Sequence, residues 1–261
     1  MSRAYAAIFN IHLLELFQYR SAAIAGIVTQ FVFGLIRWQV LMIFLLNDPS
    51  ATVFDAEDLT AYIWLGQAFL GFILFRPDGD LAESIRSGNI ASELLRPVDP
   101  YRVWLARALA RRLAPTLLRC APLLAISFFC GWIPLPPTVG ALVACLTALL
   151  LAALLAATLA VLLAETAFWT IGAEGAGALV PPLIWFFSGI TVPLPMLPDW
   201  LQSIASWTPF AGMLDKPLQI WIGSAPAGPL LGQQLLWIVL LICAGRLIAN
   251  HGLRRLTVAG G

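Results

Sequence analysis

The chain predicts an all-α integral membrane protein of six transmembrane helices, and three observations carry that prediction. Six apolar stretches lie between Ser21 and His251, each near the roughly 20 residues that cross a hydrocarbon core about 30 Å thick. With 60% hydrophobic and 11% charged residues among 261, too little polar surface exists to cover a water-soluble domain of that size. Basic residues are clustered, seven of the fourteen arginines falling between Arg76 and Arg112, and such clusters mark cytoplasmic connections. The expected organisation is one transmembrane domain over residues 1–261.

Residues 1–20 place Phe9, Leu13, Leu16 and Phe17 at helical spacing, with His12, Glu15, Gln18 and Tyr19 on the other side. That pattern suits an interfacial helix in the headgroup region, the alternative being a cytosolic extension of the first span. Arg3 offers a signal-peptide n-region, but Asn10, His12 and Glu15 interrupt the apolar run a cleavable signal needs. Span 1 covers Ser21 to Leu46, span 2 Leu59 to Phe75 and span 3 Leu113 to Ile133. Span 4 covers Val139 to Ala164, span 5 Ala176 to Val192 and span 6 Leu230 to Ala249.

Arg3, Arg20, the Arg76 to Arg112 cluster and the terminal Arg246, Arg254 and Arg255 all fall on one side of this scheme. On the other, Asn47 to Asp58 has Asp48, Asp55, Glu57 and Asp58 without a base, and Pro134 to Pro137 has no charge. Both termini are therefore expected in the cytoplasm. The connection from Glu165 to Glu174 holds two acids and no base, which weighs little because acids count for little in this rule.

Two connections are longer than turns. Residues 76–112 contain Asp80 and Glu83 at capping-box spacing, predicting a helix that stops near Gly88. A second short helix, Ile90 to Leu95, ends before Arg96-Pro97, because proline disfavours helix at the residue before it. Residues 193–229 are rich in proline and carry Trp200, Leu201, Ile204, Trp207, Leu218, Ile220 and Trp221. An aqueous loop would not hold so much apolar surface; short re-entrant helices dipping into the outer leaflet satisfy both features.

The sequence excludes several chemistries. Lys216, the single lysine, sits in D-K-P without the glycine-rich approach of a phosphate cradle, so no ATPase activity is expected. Gly172 to Gly177 lacks dinucleotide-binding spacing, no G-x-S-x-G occurs, and His12 and His251 show no metal-ligand spacing. Cys120, Cys130, Cys145 and Cys243 form no C-x-x-C and are expected as small core residues. No catalytic residue, metal, cofactor or nucleic-acid partner is expected in this chain. All fourteen carboxylates lie in or beside connections, which removes the midplane acid that ion-coupled carriers use.

Two arginines enter apolar segments. Arg119, about two turns beyond Arg111 and Arg112, is expected to snorkel to the headgroups. Arg37 lies about 25 Å beyond Arg20, in line with Gly26, Gln30 and Gly34. A stripe of small and polar residues packs against another helix, so Arg37 either snorkels outward or lines an interface or pathway.

The string F-F-S-G-I-T-V-P-L-P-M-L-P-D-W-L-Q-S-I-A-S-W-T-P-F, Phe186 to Phe210, resembles the end of span 5 and the outer helices of ABC-2-type permeases. S-G-N-I-A-S-E-L-L-R-P-V-D-P, Ser87 to Pro100, resembles more narrowly the bacterial subgroup that pairs two different permeases with one kind of ATPase. This resemblance, which covers nearly the whole chain, implies the membrane subunit of an ATP-driven exporter in the bacterial inner membrane. It implies a coupling helix between spans 2 and 3, with Ile90, Glu93, Leu94, Leu95 and Arg96 docking in the ATPase and Pro97, Asp99 and Pro100 ending the helix. It also implies two ATPase subunits that hold ATP and magnesium, and a second permease, either a different chain or a copy of this one. Spans 1 and 5 would form the permease interface and flank the pathway, which would account for Gly26, Gln30, Gly34, Arg37 and a break at Pro181-Pro182. An ion-coupled carrier, a membrane-embedded enzyme and a non-transporting membrane scaffold are the alternatives.

Overall fold

The computed structural model describes residues 9–10, 20–47, 54–73, 78–170 and 174–256, and every regular element among them is helical. In order these are α1 (Arg20–Asn47), α2 (Ala56–Ala68), α3 (Gly79–Arg86), α4 (Ile90–Leu94) and α5 (Pro100–Phe129). They continue as α6 (Val139–Glu165), α7 (Glu174–Phe187), α8 (Asp199–Trp207), α9 (Asp215–Ile222) and α10 (Ala227–Leu256). The interfacial helix expected over residues 1–20 lies outside the described residues, apart from residues 9–10 and 20.

Among the described residues, α1, α5, α6 and α10 are long and apolar enough to cross a membrane. The second and fifth apolar stretches form shorter elements. α2 has 13 residues and passes through Phe69 into a 3₁₀ turn at Leu70–Phe72, and α7 has 14. Both fall short of the roughly 20 residues of a full perpendicular crossing.

α6 is the axis of the bundle. Its Ala148, Ala152, Ala153, Ala156, Ala157 and Ala160 are buried, and these small side chains admit α5, α10, α9 and α3 close to its backbone. Close approach of this kind holds helices together where the surrounding lipid is as apolar as their own side chains. Gln234 of α10 adds a polar staple, its amide donating to the carbonyls of Ala148 (3.0 Å) and Gly212 (2.7 Å). α1 closes over α2 at Gly34, where a Cβ would stand 3.0 Å from the Trp64 ring. Trp64 in turn stacks on Trp132 at 4.3 Å between ring centroids. The opposite face of α1, including Ile24, Val28, Phe33, Ile36 and Val40, is exposed.

Several local expectations are corrected. α5 begins at Pro100, not at Leu113, because Asp99 caps it by accepting from the Arg102 N–H (3.4 Å) and proline is suited to the first helical turn. Its first turns are amphipathic, with Tyr101, Val103, Trp104 and Ala108 buried beside exposed Arg102, so hydropathy marks only the later part. α3 is capped by Asp78, which accepts from the Leu81 N–H (3.2 Å), not by the Asp80 and Glu83 spacing. Gly88 follows that helix with φ +75°, the left-handed stop expected of it. α7 runs through Pro181 and Pro182 without a break. Cys120 and Cys145 are buried as expected, whereas Cys130 and Cys243 are exposed.

Candidate functional site

The arginine-rich end of the bundle holds α3 and α4 against the base of α5. Ile90 opens α4 and is fully buried, joining Leu81, Ile85, Trp104 and Val161 in one apolar cluster. Glu93 accepts from the Trp104 indole (2.8 Å) and from Arg107 (3.2 Å). Arg111 pairs with Asp78 (2.7 Å) and with Asp80. Asp99 accepts from Arg246 of α10 at 3.1 Å. Of the residues expected to dock a partner, Ile90, Glu93 and Asp99 therefore serve the chain's own packing. Leu94 (39% exposed), Leu95 (87% exposed), Arg96 and Pro97 project from it. The exposed apolar surface of this segment is thus narrower than Ile90, Leu94 and Leu95 together.

A second feature lies along α1. A cavity of about 710 Å³ is bounded by α1, by Gln67 and Leu70, by Arg119 of α5, by Trp185 of α7 and by Ile190, Thr191 and Val192 after it. Gly26, Gln30 and Arg37 line it as the stripe predicted, while Gly34 is used instead in the packing on Trp64. Neither Pro181 nor Pro182 is part of its wall. Arg37 does not snorkel: its Nη2 donates to the Gly189 carbonyl at 3.0 Å. Arg119 is turned toward α1; a Cβ on Gly26 would stand 2.8 Å from its guanidinium. Gly26 is therefore the space that Arg119 occupies.

A buried polar node ties α1 and α2 to the segment after α7 and to α9. The Tyr62 hydroxyl donates to Asp215 Oδ1 (2.7 Å), and Gln219 Nε2 donates to Oδ2 (2.6 Å). Gly189, with φ +83°, sits where a Cβ would come within 2.2 Å of the Tyr62 oxygen and 3.4 Å of Asp215. Its carbonyl is the acceptor of Arg37, so one glycine joins the cavity's guanidinium to the buried carboxylate. Lys216 beside it is also buried, its Nζ without a hydrogen-bond partner among the described residues. Asp215 and Glu165 lie in or beside connections as expected, but both are buried. Arg119, Tyr62, Gly189 and Asp215 were not singled out from sequence as site residues. The available signal was the charged pair Asp215-Lys216 inside the apolar run from Ala211 to Ile222.

Among the described residues no cluster of His, Cys, Asp or Glu has the composition of a metal site. A family model described as ABC-2 family transporter protein matches residues 35–260. No curated protein matches the chain.

Proposed function

The chain belongs to the ABC-2 transporter family, and from that premise we propose that it is the permease subunit of an ATP-driven exporter in a bacterial cytoplasmic membrane. In this reading α2 and α7 complete a set of six spans, both termini are cytoplasmic, and α8 and α9 are re-entrant helices in the outer leaflet. Two ATPase subunits bind ATP and magnesium, and a second permease, a different chain, completes the pathway across α1 and α7. The exposed face of α7, where Leu179, Leu183 and Phe186 are uncovered, and that of α1 at Ile24 and Val28, outside the cavity wall, support such a partner.

The observation that carries the proposal is the mounting of α4. Ile90 and Glu93 anchor it while Leu94 and Leu95 stand out from it. A short helix held this way is a knob for a partner's groove. Closure of the ATPase pair on ATP would push the knob, and Glu93 would deliver that push to Trp104 and Arg107 of α5. The same continuous helix carries Arg119, twelve residues or about 18 Å further on, in the wall of the cavity. Motion at the docking end thereby reaches the pathway, as in other domain-driven switches.

Changing both Leu94 and Leu95 to Asp tests this. Each buried leucine contributes roughly 1.5–3 kcal/mol to docking, so the double variant should insert normally, lose the ATPase on purification and stop exporting. Unchanged association and export would refute the docking role. The ion-coupled alternative gains two observations, the buried Asp215 and Glu165; both oxygens of Asp215 are engaged by Tyr62 and Gln219, which suits a structural node, whereas those of Glu165 have no hydrogen-bond partner among the described residues.

A further inference from the structure

We infer that the cavity along α1 binds an amphiphile with an anionic head of the phosphate or carboxylate type. This rests on the permease reading only in treating that ligand as cargo; binding itself does not depend on it.

The first ground is a surplus of donors. Arg37 Nε and Nη1, Arg119 Nε and Gln30 Nε2 are buried and have no hydrogen-bond partner among the described residues. A guanidinium keeps its charge at neutral pH, and buried charges are paired or coordinated. Yet among the described residues no carboxylate lines the cavity and neither arginine forms an ion pair. Asp215, the buried acid nearest in the network, is already engaged by Tyr62 and Gln219. The missing partner of these donors is an anion.

The second ground is the rest of the wall. Phe33, Ile36, Val40, Phe44, Leu70 and Ile190 make it apolar, which suits a hydrocarbon tail and not a free hydrated ion. A volume of about 710 Å³ lies within the range of small-molecule sites. Phe33, Ile36, Val40 and Phe44 are themselves exposed, so the cavity opens sideways along α1, where a ligand dissolved in the bilayer would enter. The two guanidiniums stand at different levels, since Arg119 lies at Gly26 and Arg37 is eleven residues further along α1, about 16 Å. The head therefore has two anchoring levels beside one continuous apolar wall.

The test uses diazirine-bearing phosphatidylglycerol and phosphatidylcholine with identical acyl chains, incorporated with the purified complex into nanodiscs without ATP. Phosphatidylglycerol should label the 26–44 segment about tenfold more than phosphatidylcholine, the discrimination one charged contact of about 1.4 kcal/mol provides. Because Arg37 also holds the Gly189 carbonyl, Arg119→Gln is the cleaner variant; it should lose most of that preference while Arg254→Gln keeps it. Equal labelling by the two lipids, or an undiminished preference in Arg119→Gln, would overturn the inference. Dodecyl phosphate should displace the label where the same concentration of inorganic phosphate does not; equal displacement by both would overturn the amphiphile assignment. Adding Mg-ATP with the ATPase then separates the sources: a fall in labelling supports cargo, and unchanged labelling overturns the cargo assignment in favour of a resident lipid. Absence of binding would leave the Leu94 and Leu95 test of the permease reading intact.

Discussion

Gly189 is the residue on which most of the site converges. Its left-handed conformation costs a residue with a Cβ about 1–2 kcal/mol, and that Cβ would also collide with the Tyr62 oxygen. Gly189→Ala should therefore break the bond from Tyr62 to Asp215 and lower the thermal unfolding temperature of the detergent-purified protein. An unchanged transition would remove Gly189 from its pivotal place. Arg37→Leu leaves the Gly189 carbonyl without its donor, at a cost of about 1–3 kcal/mol, although it makes α1 a better membrane segment. Normal insertion with impaired export is expected. Arg37→Lys keeps a charge but not the planar fork, and it should recover only part of the function. Full export by Arg37→Leu would reduce Arg37 to a structural bystander.

At the scale of the element, α4 is a short helix of five residues that survives because it is clamped, since isolated helices of this length do not persist in water. Glu93→Ala removes hydrogen bonds from Trp104 and Arg107 to a charged group, each worth about 1.5–3 kcal/mol. Amide exchange across residues 90–95 should rise several-fold while α6 stays protected; unchanged exchange would show the clamp to be incidental. The helices themselves were largely legible in the sequence. α6 was expected from Val139 to Ala164 and runs from Val139 to Glu165, because an uninterrupted apolar run between a capping threonine and a polar connection marks both its ends. α5 was misjudged because its first turns are charged on one side and buried on the other, a pattern hydropathy averages away. For Arg119, counting residues gives depth along a helix, not the neighbour it faces, which is Gly26 on α1. Asp215 escaped notice because the proline-rich connection was read for its apolar residues, and spacing does not reveal the packing against α2 and α6 that buries this carboxylate.

For the whole molecule, family membership establishes an ABC-2 transporter protein, and the arrangement of charge supplies its proposed orientation. The ion pairs of Asp78, Asp80, Glu93 and Asp99 with arginines of α5 and α10 gather at one end. Trp221, bonded to the Pro134 carbonyl, and Trp207 lie in the connections assigned to the other. If the arginine-rich end is cytoplasmic, a cysteine at Ser224 should react with an impermeant maleimide added to intact cells, and one at Ser87 should not. Reaction at Ser87 from outside would invert the scheme.

The central claim, a permease driven through α4, meets its most direct test at Leu95, the most exposed apolar residue of that segment. With Cys130 and Cys243 changed to serine, Leu95→Cys should be silent to impermeant maleimide on intact cells and reactive in inverted vesicles stripped of the ATPase. Rebinding the cognate ATPase should then protect it. Labelling from outside the cell, or a labelling rate in inverted vesicles that the ATPase does not change, would contradict the account.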